Sequence, residues 1–115
     1  MKKTVVLGIC SGIAAFKTLE LIKKLNPRVQ LIAFKAEYAS NDEDLINAAR
    51  KLLNKSQIDA VVANDISKAD RGFETEKNEV IIVYENGKTH KIALNSKRQI
   101  AEQIIDYLMK TLIIK

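Results

Sequence analysis

The stretch 31-LIAFKAEYASNDEDLINAARKLLNKSQIDAVVANDIS-67 holds a strand, a helix and a second strand with the boundary signals of each. Val29, Leu31, Ile32 and Phe34 form a short apolar run of the kind that fits a strand buried on both faces. A polar loop follows, in which Ser40 stands three residues before Glu43, the spacing of a capping box at a helix start. Asp42, Glu43 and Asp44 then put negative charge where the helix dipole is positive. Leu45, Ala48, Ala49, Leu52 and Leu53 recur at the spacing of one helical face, with Arg50, Lys51 and Lys55 left toward water. The run 60–63 is again short and apolar and stops at Asn64-Asp65. In open α/β sheets the loops at the carboxyl ends of strands are where ligands bind.

Working outward, residues 4–17 read as a strand, a turn of small residues and a helix, the helix burying Ala14, Ala15, Thr18, Leu19 and Ile22 and ending at Asn26-Pro27. Residues 79–84 and 89–94 read as two strands joined at Asn86-Gly87, a hairpin signal because these residues accept positive φ. Ser96 with Gln99 is a second capping box. Behind it, Ile100, Ala101, Ile104, Ile105, Leu108 and Leu112 predict a closing helix. The order is therefore βαβαβ, a hairpin and a terminal helix: a three-layer α/β/α Rossmann-like sandwich with a mainly parallel sheet. At 115 residues it is expected to form a single α/β domain, 1–115.

Composition narrows the function. With 47% hydrophobic and 29% charged residues the chain has the balance of a soluble globular protein. Its apolar runs are too short for a membrane span, and its amino terminus is a poor signal peptide, so a cytoplasmic protein is expected. One cysteine, Cys10, rules out an internal disulfide and supplies no metal cluster. The net charge of +5 comes from scattered lysines, with few aromatics and no nucleic-acid motif, so small anions are expected as partners and nucleic acid is not. His90 reads as a surface residue of the second hairpin strand.

Several ordered motifs carry a resemblance. Phe34-Lys35-Ala36-Glu37, Lys51 and Lys55 four apart, Ala63-Asn64-Asp65-Ile66-Ser67, Gly72-Phe73 and Asn78-Glu79-Val80 together resemble the carboxyl-terminal half of the phosphopantothenate-cysteine ligase family of coenzyme A biosynthesis, over about 31–108. The resemblance implies activation of phosphopantothenate by a nucleotide, CTP or ATP with Mg2+, and amide formation with cysteine. It implies that Phe34 lies against the nucleotide and that Lys51 and Lys55 face its phosphates. From the residues alone, lysines in a last helical turn stabilise the dipole by about 0.3–1 kcal/mol with no ligand at all. Phe34 is equally a core residue, Glu37 a solvated carboxylate, and Asn64 and Asp65 turn formers.

Residues 1–25 resemble the opening of phosphopantothenoylcysteine decarboxylase, whose first turn binds the phosphate of FMN. That match implies flavin contacts at Gly8, Ser11 and Gly12, although such turns into helices are common simply for packing. The decarboxylase's catalytic histidine and later cysteine find no counterpart, nor do the ligase's glycine-rich loop, intermediate-handling asparagine and lysine-rich loop. The order therefore reads as a shortened or chimeric member of the bifunctional coenzyme A family, decarboxylase-like over 1–27 and ligase-like over 28–115. Three readings follow: a nucleotide-binding ligase fragment, either active or inactive alone; a non-catalytic assembly module; and a small FMN-binding flavodoxin-like protein. The apolar tail Leu112-Ile113-Ile114 adds a surface for a homodimer.

Overall fold

In a computed structural model, residues 5–9, 13–55, 57–67 and 77–113 are described. They form β1 (Val5–Ile9), α1 (Ile13–Leu25), β2 (Gln30–Glu37), α2 (Asp42–Lys55), β3 (Ala60–Asp65), β4 (Lys77–Tyr84), β5 (Thr89–Ser96), α3 (Lys97–Leu108) and a final π turn (Met109–Ile113). The five strands lie in one sheet in the order β1-β2-β3-β4-β5, each beside its neighbour in sequence. β1, β2 and β3 pair in parallel, whereas β4 is antiparallel to β3 and β5 to β4. The sheet is therefore mixed, with a parallel half, β1 to β3, joined to an antiparallel half formed by the hairpin of β4 and β5.

Crossovers that advance in one direction across a sheet place their helices on one face. Accordingly Ile22 of α1 and Ile46, Leu52 and Leu53 of α2 pack on a cluster that contains Leu31, Ala33, Val61, Ala63, Ile81 and Val83. The alternate residues of the same strands, Ile32, Val62, Val80, Ile82 and Tyr84, meet Ile100, Ile104 and Leu108 of α3 on the other face. This alternation is the period of two in a strand, and it decides which site residues share a surface.

Local signals mostly act where the sequence places them. α1 stops at Asn26, whose Oδ1 accepts from the Arg28 N–H while its own N–H bonds the Ile22 carbonyl. Ser96 caps α3, its Oγ accepting from the Gln99 N–H at 3.2 Å. The hairpin closes with Gly87 at φ +90, its N–H on the Tyr84 carbonyl, and Tyr84 N–H on that of Lys88. Only the glycine takes positive φ among the described residues, so the loop is a three-residue turn ending in a glycine bulge.

Four expectations are corrected. α2 is capped by Asn41, whose Oδ1 accepts from the Asp44 N–H at 2.8 Å, one residue later than the expected Ser40–Glu43 pair. Thr18 is exposed. In α3, Ile105 is 57% exposed and Ala101 also faces water, because the sheet takes only the i, i+4, i+8 row of Ile100, Ile104 and Leu108, with Tyr107 flanking it. His90 is half-buried and stacks on Tyr107, ring centroids 3.7 Å apart. In the expected dimer tail, Leu112 packs inward on the α3 core, while Ile114 lies outside the described residues.

Polar ties hold the layers together. Asp59 Oδ2, in the turn before β3, accepts from Lys23 Nζ at 3.0 Å and from the Leu31 N–H at 2.7 Å, while Lys23 also donates to the Val29 carbonyl. Lys91 of β5 pairs with Asp42 at 2.7 Å and Glu79 at 3.5 Å, joining the edge strand to the start of α2. Among the described residues no helix is long and apolar enough to cross a membrane.

Candidate functional site

β3 leaves the sheet through Asn64 and Asp65, whose side chains belong to opposite faces. Asp65, 7% exposed, turns to the α1/α2 side and accepts from the Ser67 N–H at 2.8 Å and the Ala39 N–H at 3.3 Å. Ser67 Oγ donates to the Ala39 carbonyl, and the Ile66 N–H to that of Glu37. A buried carboxylate thereby fastens the β2–α2 loop to the end of β3. Tyr38, in that loop, is left 75% exposed.

Asn64 belongs to the α3 side. There it joins Phe34, Asn78 and Lys97 around a hollow of about 200 Å³ floored by Ile100 and Ile104. Each wall has a reason to be there. Phe34 is held by packing on the α3-side core and stays half-buried. Asn78 opens β4, which starts beside the end of β3 because the two strands run antiparallel. Lys97 is the first residue of α3, so its charge adds to the positive end of that helix. Aromatic face, two carboxamides and a cation meet at the carboxyl ends of the parallel strands. That combination suits a flat polar ring with an anionic substituent.

Lys51 and Lys55 lie elsewhere. Both are exposed on α2, the helix that covers the opposite face of the sheet. Lys55 lines a larger open hollow at the amino ends of the strands, beside Lys23, Lys24, Glu20, Asp59 and Glu85. The structure therefore does not bring Phe34 and the two lysines of one chain around one pocket; the sheet stands between them. Lys23 is engaged by Asp59, which leaves Lys24 and Lys55 as this hollow's exposed ammonium groups.

Of the three residues tied to flavin, Gly8 lies in β1 opposite Ala33, while Ser11 and Gly12 fall outside the described residues, as does Gly72-Phe73. Among the described residues no three His, Cys, Asp or Glu side chains converge as metal ligands. Sequence reasoning missed Lys97 as a site residue, and treated Asn64 and Asn78 only as motif positions. The signal available was their alternation: Phe34 and Asn64 fall on one face once β2 and β3 pair with Ala36 opposite Asn64.

Comparison with known proteins places this geometry in a family. Residues 8–112 match the family model "DNA/pantothenate metabolism flavoprotein C-terminal domain". That match takes in most of the opening strand and helix that resemble the decarboxylase, and the decarboxylase likeness itself is not shown. The chain is 38% identical over 96 residues to the coenzyme A biosynthesis bifunctional protein CoaBC of Thermococcus kodakarensis, covering 84% of this chain and 23% of that protein. It is 35% identical over 94 residues to the CoaBC of Methanocaldococcus jannaschii, covering 82% and 22%. The chain thus spans under a quarter of the length of these curated relatives. Among solved structures, the C-terminal domain of a CoaBC superposes with a TM-score of 0.68 over 95% of this chain and 57% of that one, at 22% identity, a likeness of fold. The match to these motifs over nearly the whole chain leads to one conclusion: the chain belongs to the DNA/pantothenate metabolism flavoprotein C-terminal domain family, the ligase part of the CoaBC proteins.

Proposed function

We propose that this chain is the nucleotide-binding part of a phosphopantothenate-cysteine ligase, taking CTP or ATP in the activation of 4'-phosphopantothenate for amide formation with cysteine. The observation that carries the reading is the convergence of Phe34, Asn64, Asn78 and Lys97 on one hollow, in a chain of this family. The hollow is smaller than the roughly 300–1,000 Å³ of pockets that enclose a whole ligand. It therefore takes the base and leaves sugar and phosphates outside, toward Lys97. Mg2+, where used, comes with the phosphates, since such ions keep most of their shell from water and substrate oxygens.

Lys51 and Lys55 retain their proposed role toward phosphate from the family resemblance. With the sheet between them and Phe34, the two lysines are a separate candidate from the hollow, whose own cation is Lys97. Titration calorimetry with CTP and ATP tests both parts. Phe34→Ala abolishes binding if the base sits in the hollow, whereas Lys51→Ala and Lys55→Ala weaken it and flatten its salt dependence. Absence of binding heat with either nucleotide up to millimolar concentration refutes the reading. Cysteine-dependent pyrophosphate release from CTP and phosphopantothenate tests the whole reaction.

A further inference from the structure

The β4–β5 ladder carries an irregularity beside the hollow. Asn78 pairs with Asn95 and Val80 with Ile92, so the single residue Glu79 on β4 faces two residues, Ala93 and Leu94, on β5. A bulge of this kind re-aims the side chains next to it. Here the Glu79 N–H donates to Asn78 Oδ1 at 2.9 Å. Because a backbone N–H can only donate, the carboxamide oxygen is fixed on it and the amino group is turned away, with no other hydrogen-bond partner among the described residues. Asn78 thus lines the hollow as a donor, opposite the ring of Phe34 and near Asn64, whose carboxamide makes no hydrogen bond among the described residues.

We infer that Asn78 is a specificity-determining residue that reads the nucleotide base, donating to the N3 acceptor of cytosine. The inference rests on the nucleotide reading above and adds to it a choice between bases. Uracil places an N–H where cytosine has the N3 acceptor, so a fixed donor at Asn78 meets another donor and is left unpaired. A pocket built to hydrogen-bond one edge rejects the mismatched one more strongly than an apolar pocket can. Asn64, free to present either end of its amide, accommodates the exocyclic group of each base and does not discriminate.

Kd values for CTP and UTP measured on the same preparations test this. The wild-type chain is expected to favour CTP. Asn78→Asp keeps the shape but replaces the donor by an acceptor, so the UTP-to-CTP ratio of Kd falls by about tenfold or more, the discrimination one good base contact provides. Asn78→Ala brings the ratio toward one. Each ratio is internal to one variant, and far-ultraviolet circular dichroism identifies any variant that fails to fold; should Asn78→Asp fail, Asn78→Ala carries the test. An unchanged ratio with CTP still bound overturns the role of Asn78 and leaves the nucleotide reading standing. A wild-type chain that binds neither nucleotide overturns both.

Discussion

Asn41 shows how much one side chain contributes here. Its Oδ1 takes up an N–H that the first turn of α2 would otherwise leave without an intrahelical partner, and Asp42, Glu43 and Asp44 follow it at the positive end of the dipole. Asn41→Ala is expected to cost about 1 kcal/mol, while Ser40→Ala, a residue outside the cap, leaves stability nearly unchanged. Urea denaturation of the two variants checks this; equal losses would return the cap to Ser40. Asp65 is a residue of another kind, since its role spans 26 residues of sequence to Ala39 and no local spacing announces it. Asp59 likewise joins α1 to the starts of β2 and β3 through Lys23 and Leu31. Hydrogen bonds to charged groups of this sort stabilise by roughly 1.5–3 kcal/mol each.

Among the elements, the hairpin is the most local in its causes. Gly87 has nothing within 4 Å of where a Cβ would stand, so a side chain there meets no clash and only the backbone objects. Gly87→Ala is expected to destabilise by about 1–2 kcal/mol, the cost of a left-handed conformation for an L residue, and Gly87→Asn by less. A thermal melt of both variants checks the order. Helix α3 shows the limit of periodicity. Six apolar residues mark its stripe in the sequence, yet a flat sheet takes a row narrower than a hydrophobic arc, which leaves Ile105 outside. His90 was equally hidden: its partner Tyr107 lies 17 positions on, and only the packing of α3 on β5 brings the rings together.

For the whole molecule, order and direction of the strands were legible because short apolar runs, capped amphipathic helices and a glycine turn alternate without ambiguity. The candidate site was only half legible. Phe34 could be named from its motif, but which residues share its face follows from strand pairing, and that separates it from Lys51 and Lys55. Electrostatic ties between elements also appear only at this level. The hydrogen bond to Asp42, with the charge of Glu79 and against some desolvation, raises the Lys91 pKa above 10.5. A group whose folded pKa is raised gives its full stabilisation below the unfolded value and loses it as pH rises through the folded one. Lys91 is about half-exposed, so the pair is worth about 0.2–1 kcal/mol. Stability of the wild type is therefore expected to fall toward that of Lys91→Met as pH climbs past about 10.5, with the two alike above the folded pKa. Denaturant midpoints across that range check it.

Because every described strand pairs with the one made just before it, strand pairing never waits for a later strand, and only the face of Ile32 and Val62 stays open until α3 arrives. The sheet can grow in the direction of synthesis, each newly emerged strand docking on an edge already formed. Such short loop closures favour rapid, sequential assembly on the ribosome.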